Sequence, residues 1–297
     1  MGNVISFLNM KGGVGKTTLC KEIGFFLSKN KSNVLLIDVD PQGNLTQSLF
    51  EKFNYKHHYE STNDKNEKFT VCTSTINKVF EYTSVVDSLA EEECILKLNE
   101  TLSIIPGDLN TVFFERSNGG SEKENAIKNF IEDFQLKDKY DYILMDCPPT
   151  YSFYTTAALL ASDFYISPIH PDSYSILGID LLFQVVDRLR KVHRDRFKIA
   201  PLEHLGVIFT NVPREASIST GMRKMIEDIK SSQTLSDLNV NFFNEYFHSN
   251  PEFPKKIDYF IEDSRSDFSY NNLRQIIKEF NSLIDNFSQT PEETGVR

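Results

Sequence analysis

The chain has 297 residues, of which 40% are hydrophobic and 25% are charged, a composition that supports a sizeable folded core. No apolar run approaches the roughly 18 residues that a membrane-spanning helix needs, so we expect no membrane partner. The net charge of −10 disfavours nucleic acid over the molecule as a whole, so any DNA contact must come from local clusters of lysine and arginine.

The first predicted unit is a strand, a glycine-rich loop and a helix. Asn3 to Asn9 is a β-branched and aromatic run, and Thr17 to Ser28 carries apolar residues at helical spacing. Between them, residues 10–18 read MKGGVGKTT. In a phosphate-binding loop, glycines let backbone N–H groups face phosphate oxygens, the last lysine reaches the β- and γ-phosphates, and the next hydroxyl binds Mg²⁺. The order strand, loop, helix also points a helix N-terminus at phosphate.

Two residues of this loop depart from an ordinary phosphate-binding loop. Met10 stands where the first glycine is usual, and Lys11 is a second lysine, which would repel Lys16 if the loop only joined a strand to a helix. The element KGGxGKT resembles the deviant Walker A motif of the ParA/MinD family of dimeric ATPases. The resemblance implies that Lys16 contacts phosphates of its own subunit and that Lys11 reaches nucleotide bound by a partner subunit. It implies nucleotide contacts from Lys11, Gly12, Gly13, Val14, Gly15, Lys16, Thr17 and Thr18.

The next strand ends in two carboxylates. Residues 34–44, VLLIDVDPQGN, form a buried-strand pattern followed by a turn. Alternation places Asp38 and Asp40 on the same side, where one can approach a metal and the other a water, although paired aspartates at a strand end also form turns. The segment resembles the family's Walker A′ motif. That implies that Asp40 positions the attacking water and that Asp38 lies near Mg²⁺.

The run YILMDCPP at residues 142–149 is a third apolar strand that ends in aspartate. It resembles the family's Walker B motif, which implies that Asp146 holds a Mg²⁺-bound water opposite Thr17. Mg²⁺ keeps several waters and takes few protein carboxylates. The resemblance therefore implies metal contacts from Thr17, Asp38 and Asp146, and catalytic roles for Lys11, Lys16 and Asp40.

Strand and helix patterns alternate along the rest of the chain. We predict later strands at Leu102–Pro106, Phe164–Pro168, Leu205–Thr210 and Val240–Phe243. We predict helices at Ser121–Leu136, Tyr151–Ala161, Ser173–Val192, Ala216–Ser231 and Asn271–Phe287. This alternation predicts an α/β fold with a doubly wound, mostly parallel sheet flanked by helices, the arrangement of P-loop NTPases. We expect one ATPase domain over residues 1–297, with a mobile insertion at the polar stretch 53–68.

The resemblance runs from residue 1 to about 215, and the region at about 216–297 diverges. Thr210 to Arg214 occupies the strand end where relatives bracket adenine, so we expect Asn211 and Pro213 to contact nucleotide. Asn211 could equally cap a turn. The apolar stripe between Leu273 and Phe287 is balanced by acidic residues, which favours core packing over membrane insertion.

Basic residues of the C-terminal half are the candidates for DNA contact. A dimer can present a basic stripe that the acidic chain alone does not show, although such residues also serve as ordinary surface charges. The candidates are Arg214, Arg223, Lys224, Lys255 and Lys256.

Four functions compete on these features. The resemblance implies a DNA partition (segregation) ATPase with slow basal turnover. Its ATP-bound homodimer would hold nonspecific double-stranded DNA, and a centromere-binding, ParB-like adaptor would stimulate hydrolysis. The alternative is a MinD-like, membrane-associated positioning ATPase. A nitrogenase-type iron protein would need cluster thiolates, which the positions of Cys94 and Cys147 do not resemble. Asp40 argues against a non-hydrolysing switch. The unpaired spacing of the cysteines is typical of a cytoplasmic protein, and the resemblance implies that the protein is nucleoid-associated.

Overall fold

The structure, a computed structural model, describes residues 1–57, 69–82, 89–111, 120–263 and 267–289. The strands are β1 (Asn3–Phe7), β2 (Val34–Asp38), β3 (Tyr55–His57), β4 (Thr70–Cys72), β5 (Leu96–Lys97), β6 (Leu102–Ile105), β7 (Tyr142–Asp146), β8 (Phe164–Ile169), β9 (Glu203–Val212) and β10 (Phe247–His248). The helices are α1 (Lys16–Lys29), α2 (Asn44–Phe53), α3 (Ile76–Glu81), α4 (Gly120–Asp133), α5 (Leu136–Lys139), α6 (Phe153–Ala161), α7 (Ser175–Val192), α8 (Arg194–Ile199), α9 (Thr220–Lys230), α10 (Gln233–Asp237) and α11 (Asp267–Gln289).

The main sheet has the strand order β10-β9-β8-β1-β7-β2-β6-β5, and its strands pair in parallel except for β5 with β6. The central strand β1 lies between β8 and β7, so the chain winds away from it in both directions. Phe7 and Asp38 are both in register with Asp146. The loop after β1 and the aspartates ending β2 and β7 therefore meet at one edge of the sheet, where doubly wound folds bind ligands. The predicted fold class is confirmed.

Helices cover both faces of the sheet, because alternate residues of each buried strand point to opposite sides. Val4 and Leu8 pack with the core that includes α4 and α6, whereas Ile5 and Phe7 pack with the core that includes α1 and α11. The core on the α1 side fixes the helix that begins at the glycine-rich loop. This packing sets the direction of the α1 N-terminus relative to the strand ends.

The C-terminal helix α11 packs as a core element, as its sequence pattern predicts. Leu273, Ile276, Phe280 and Ile284 are each less than 5% exposed and belong to the core that also contains α1. Phe287, at the far end, is 39% exposed and contacts the ring of Phe164. No helix in the part of the chain that the structure describes is long and apolar enough to cross a membrane.

One strand that the sequence predicts does not form in the structure. Val240–Phe243 makes only an isolated bridge between Phe242 and Val207. The chain turns just before it, where Asn239 has a φ of 51°. The sheet edge is formed instead by β10, which pairs with β9.

The predicted insertion at 53–68 begins inside regular structure. Phe53 ends α2, and Tyr55–His57 pairs with Thr70–Cys72 in a small parallel sheet. Residues 58–68 lie outside the described residues. The mobility proposed for this stretch remains a prediction.

Candidate nucleotide-binding and catalytic site

The glycine-rich loop has the backbone shape that its sequence predicts. Gly13 and Gly15 have φ values of 74° and 80°, in the left-handed region that residues with a side chain rarely adopt. Gly15 is the N-cap of α1, so the free N–H groups of the first helical turn open into the loop. This arrangement is suited to binding phosphate.

Lys16 lies inside this loop and is only 6% exposed. Its Nζ donates a hydrogen bond to the carbonyl of Lys11 at 3.1 Å. Burial lowers the pKa of the Lys16 ammonium, while the nearby charges of Asp146 and Asp40 act in the opposite direction. The lysine is thus buried in the loop, near enough to both carboxylates for their charges to favour its protonated form.

Asp146, at the end of β7, is fully buried, and neither of its carboxylate oxygens makes a hydrogen bond of ordinary geometry among the described residues; the Thr17 hydroxyl and the charge of Lys16 are near enough only to oppose the rise in its pKa. Burial raises the pKa of Asp146 well above its usual value, and the charge of Asp38 raises it further. An unpartnered buried carboxylate is costly unless a cation or donor reaches it. The residue therefore fits a place in the coordination sphere of a metal ion.

Mg²⁺ suits this place better than a metal held mainly by protein side chains. Within the described residues, no group of three or more His, Cys, Asp or Glu side chains is arranged to hold a metal ion. Mg²⁺ takes one or two protein ligands and completes its octahedron with phosphate oxygens and water. Asp146 and the adjacent Thr17 hydroxyl are the groups that fit it.

Asp38 is held by a network of its own. One carboxylate oxygen accepts hydrogen bonds from the N–H and the hydroxyl of Thr46 at 2.8 and 2.7 Å. A Cβ on Gly107 would lie 3.0 Å from Cγ of Asp38, a tighter contact than most side chains make, so a larger residue there would press against Asp38. Burial raises the pKa of Asp38 to about 7. Asp38 thus fastens the start of α2 to the strand end, and its proximity to a metal remains a prediction.

Asp40 lies in the loop that follows β2, and it is 8% exposed. Its side chain accepts a hydrogen bond from the N–H of Gln42 at 2.9 Å, and its carbonyl accepts one from Gly43 at the same distance. Both bonds shape the turn around the carboxylate. Asp40 can therefore shape the turn and also orient a water, because the hydrogen bond from Gln42 occupies only one of its two carboxylate oxygens.

Lys11 is bound within its own chain. Its N–H donates to the side chain of Asn9 at 2.9 Å, and its Nζ forms an ion pair with Asp172. The same Nζ lies 5.8 Å from the ring centroid of Tyr174. The Lys11 side chain is 35% exposed, so the ion pair lies at the surface of the site and is accessible to a second chain.

A cavity of about 580 Å³ opens beside the glycine-rich loop. Asn211, with a left-handed φ of 55°, lies at the end of β9 on its wall. Pro213 is not among the residues that line the cavity; its carbonyl accepts a hydrogen bond from a lining residue, His248, at 3.0 Å. The cavity is lined by Gly13, Gly15, Thr18, Thr210, Asn211, Phe247, His248, Ser249, Asn250, Pro251, Phe253 and Pro254.

Thr210 links this cavity to the glycine-rich loop. Its hydroxyl lies 2.6 Å from the carbonyl of Val14 and 3.0 Å from that of Ile169. A carbonyl oxygen only accepts hydrogen bonds, so the Thr210 hydroxyl is the donor in both contacts. The sequence places Thr210 in the segment expected to bracket adenine, but it predicts neither the contact of Thr210 with the loop nor any role for Asp172. Each contacts a loop residue more than 150 positions away, at separations of 196 and 161 residues, so no local pattern marks them.

The five candidate DNA-binding residues differ in their surroundings. Arg223 pairs with Glu215, and Lys255 pairs with Glu252 at 3.0 Å. The guanidinium of Arg214 lies 4.4 Å from the ring centroid of Phe268. Lys224 and Lys256 are exposed on the surface. Arg214, Lys224 and Lys256 are therefore the stronger candidates for phosphate contacts.

Sequence comparison relates the chain to nucleotide-dependent partition proteins. A family described as "AAA domain" matches residues 2–199. The sporulation initiation inhibitor protein Soj of Bacillus subtilis is 31% identical over 232 residues, which cover 77% of this chain and 79% of Soj. The chromosome partitioning protein ParA of Caulobacter vibrioides is 27% identical over 222 residues, 74% of each chain.

Structural comparison agrees with this relationship at the level of the fold. A putative plasmid partition protein from Borrelia burgdorferi, solved with AMPPNP bound, superposes with a TM-score of 0.68. The match covers 94% of this chain and 99% of that one at 22% identity.

Proposed function

The chain belongs to the ParA/Soj family of partition ATPases, and from this membership and the site geometry we propose that it is an ATP-dependent DNA segregation ATPase. The observation that carries the proposal is the buried carboxylate of Asp146 at the end of β7, which lacks a well-formed hydrogen bond and lies near Thr17 and Lys16 of the phosphate-binding loop. A structural loop would not need so poorly satisfied a carboxylate beside a buried lysine. A triphosphate with its metal ion satisfies both groups.

In the proposed mechanism, this chain's residues bind and orient ATP. The N-terminus of α1 and Lys16 bind the phosphates, while Thr17 and Asp146 hold Mg²⁺, with Asp38 supporting this end of the sheet. Mg²⁺ supplies neutralisation of the charge that develops on the phosphates. Asp40 orients the attacking water through its free carboxylate oxygen. Catalysis of this kind depends on positioning and electrostatics, which suits a slow basal rate.

We further propose that ATP drives formation of a homodimer in which Lys11 contacts nucleotide in the partner subunit. The partly exposed position of Lys11 supports this, because its ammonium is already at the molecular surface. To reach the partner, Lys11 must leave Asp172, and a γ-phosphate offers a more highly charged acceptor than one carboxylate. Dimerisation would therefore depend on ATP rather than ADP.

The proposed cargo is nonspecific double-stranded DNA, with release controlled by a centromere-binding adaptor that stimulates hydrolysis. Support comes from the named roles of the relatives and from Arg214, Lys224 and Lys256, which can add across a two-fold axis. The burial of the α11 stripe gives no support to the membrane-associated alternative, because these residues already pack in the core.

A retention assay tests this function directly. With ATP and Mg²⁺, we expect the protein to bind plain double-stranded DNA, with an affinity that falls steeply as salt increases. The double variant Lys224→Gln/Lys256→Gln removes two cations from each copy of the dimer, so it should lower the slope of log affinity against log salt by about four. The matched control is Lys31→Gln/Lys97→Gln, which changes the net charge equally. ATP-dependent sedimentation with anionic liposomes, and no DNA retention, would place the protein in the membrane-positioning class instead.

A further inference from the structure

Two neighbouring charged residues are buried in the middle of α1. Lys21 is 5% exposed and Glu22 is 1% exposed. Removing both charges from water costs several kcal/mol per ion unless hydrogen bonds and pairing offset it. They lie more than a helical turn beyond Lys16, and the chemistry proposed for the phosphate site does not use them. Their burial therefore calls for a separate explanation.

Their polar contacts converge on one short segment, Ile257–Ile261. Lys21 Nζ donates a hydrogen bond to the carbonyl of Tyr259 at 2.7 Å and another to the hydroxyl of Ser48 at 3.2 Å. The Ser48 hydroxyl in turn donates to the carbonyl of Ile257 at 2.5 Å. Glu22 accepts a hydrogen bond from the N–H of Ile261 at 2.9 Å. Two helices thus hold the backbone of this segment at three points.

Apolar contacts strengthen the attachment. Lys21 Nζ lies 4.4 Å from the ring centroid of Phe260, and the rings of Phe260 and Phe25 are 4.4 Å apart. Glu22 lies 3.6 Å from Lys21 Nζ and balances its charge. A cation over an aromatic ring gains most where water is excluded, as it is here. The segment is therefore fixed to α1 by both polar and apolar contacts.

The same segment supports a wall of the cavity beside the glycine-rich loop. Asn250 lines this cavity, and its Nδ2 donates a hydrogen bond to the Tyr259 hydroxyl at 2.9 Å. Gly15 and Thr18 also line the cavity and lie at and just after the start of α1. One helix therefore carries the phosphate-binding loop at its start and, from its middle, holds the segment that contacts another lining residue of the same cavity, Asn250.

We propose that Lys21 and Glu22 are positioning residues for the nucleotide base. They fix the segment Ile257–Ile261, and through Tyr259 they set the distance between the Asn250 wall and the glycine-rich loop. This inference rests on the proposed nucleotide site, with the base in this cavity and the phosphates at the loop. Replacing either residue should therefore weaken binding of a nucleotide much more than binding of its phosphates alone.

The test compares calorimetric affinities for ADP and for inorganic pyrophosphate, both with Mg²⁺. For Lys21→Met we expect the Kd for ADP to rise about tenfold, the loss of about one charged hydrogen bond, while the Kd for pyrophosphate changes less than about twofold. Lys29→Met, the same change at an exposed position of the same helix, should alter neither value. Tyr259→Phe removes only the hydroxyl that Asn250 contacts, and it should shift the ADP affinity in the same direction.

Three results would overturn the inference. If Lys21→Met weakens the binding of both ligands equally, the role of Lys21 is purely structural. Unchanged ADP affinity in both Lys21→Met and Tyr259→Phe would show that the segment does not position the base, and the Tyr259 variant decides the matter if Lys21→Met does not fold. Wild-type protein that binds ADP no more tightly than pyrophosphate would instead refute the base cavity in the proposed function, and the inference with it.

Discussion

Asp40 is the residue at which binding and hydrolysis can be separated. We expect Asp40→Ala to retain ATP binding within about threefold and to lose hydrolysis by about 100-fold or more, since the carboxylate orients water but does not hold the phosphates. Phosphate release at saturating ATP, together with calorimetric binding, measures the two quantities. Asp195→Ala, a surface aspartate on α8, is the control. Near-normal turnover by the Asp40 variant would remove its catalytic role.

At the same scale, the sequence located residues that act within short motifs and missed those that act across the fold. The loop from Lys11 to Thr18 and the aspartates at the strand ends follow from local patterns, and the structure brings them to one edge of the sheet. Asp172 and Asn250 are distant in sequence from the residues they serve. Their positions depend on how the chain after β8 and the segment after β10 pack against the rest of the fold. Hydrophobic periodicity along the sequence does not predict such long-range packing.

At the scale of the element, α1 links pH to stability through Glu22. Burial raises the pKa of Glu22 from 4.5 to about 7, with Lys21 opposing the shift and Asp263 adding to it. The folded state therefore binds more protons than the unfolded state between these two values, so stability decreases as pH rises through this window. Denaturant unfolding at a series of pH values should show a steeper decrease for wild type than for Glu22→Gln. Parallel profiles would show that Glu22 does not titrate in this way.

The last helix, α11, allows a second test at this scale. Phe280 is fully buried and its ring lies 6.3 Å from that of Tyr142, whereas Phe287 is 39% exposed. We expect Phe280→Ala to lower the free energy of unfolding by about 3–5 kcal/mol. Phe287→Ala should lower it by about 1 kcal/mol or less. Similar small losses in urea unfolding of the two variants would mean that this helix does not pack in the core.

Elements with sustained periodicity were predictable, and very short ones were not. The strands at both sides of the phosphate-binding loop and the long helices follow from hydrophobic spacing. The two- and three-residue strands β3, β4, β5 and β10 carry no periodic signal, and each depends on a partner already in place. Val240–Phe243 has a strand-like composition, but the turn at Asn239 leaves it with a single bridge to β9. Composition alone does not distinguish these cases.

At the scale of the whole molecule, the acidic net charge of −10 limits how one chain can meet DNA. Two of the five proposed contact residues already have acidic partners, which leaves Arg214, Lys224 and Lys256 as the main contributors. Such a small number of cations gives weak binding unless two copies combine them. The proposed DNA binding therefore depends on assembly, and assembly depends on Lys11.

The most direct test of the central claim is the molar mass of the protein by light scattering, with Mg²⁺ and either ATP or ADP. We expect wild type to double its mass in ATP and to remain a monomer in ADP, because Lys11 gains a γ-phosphate to contact across the two-fold axis. Lys11→Ala should stay monomeric in ATP while retaining measurable ATP binding, and Lys97→Ala should behave as wild type. A dimer that forms equally in ADP, or that persists in the Lys11 variant, would contradict the proposal that ATP drives dimerisation through this lysine.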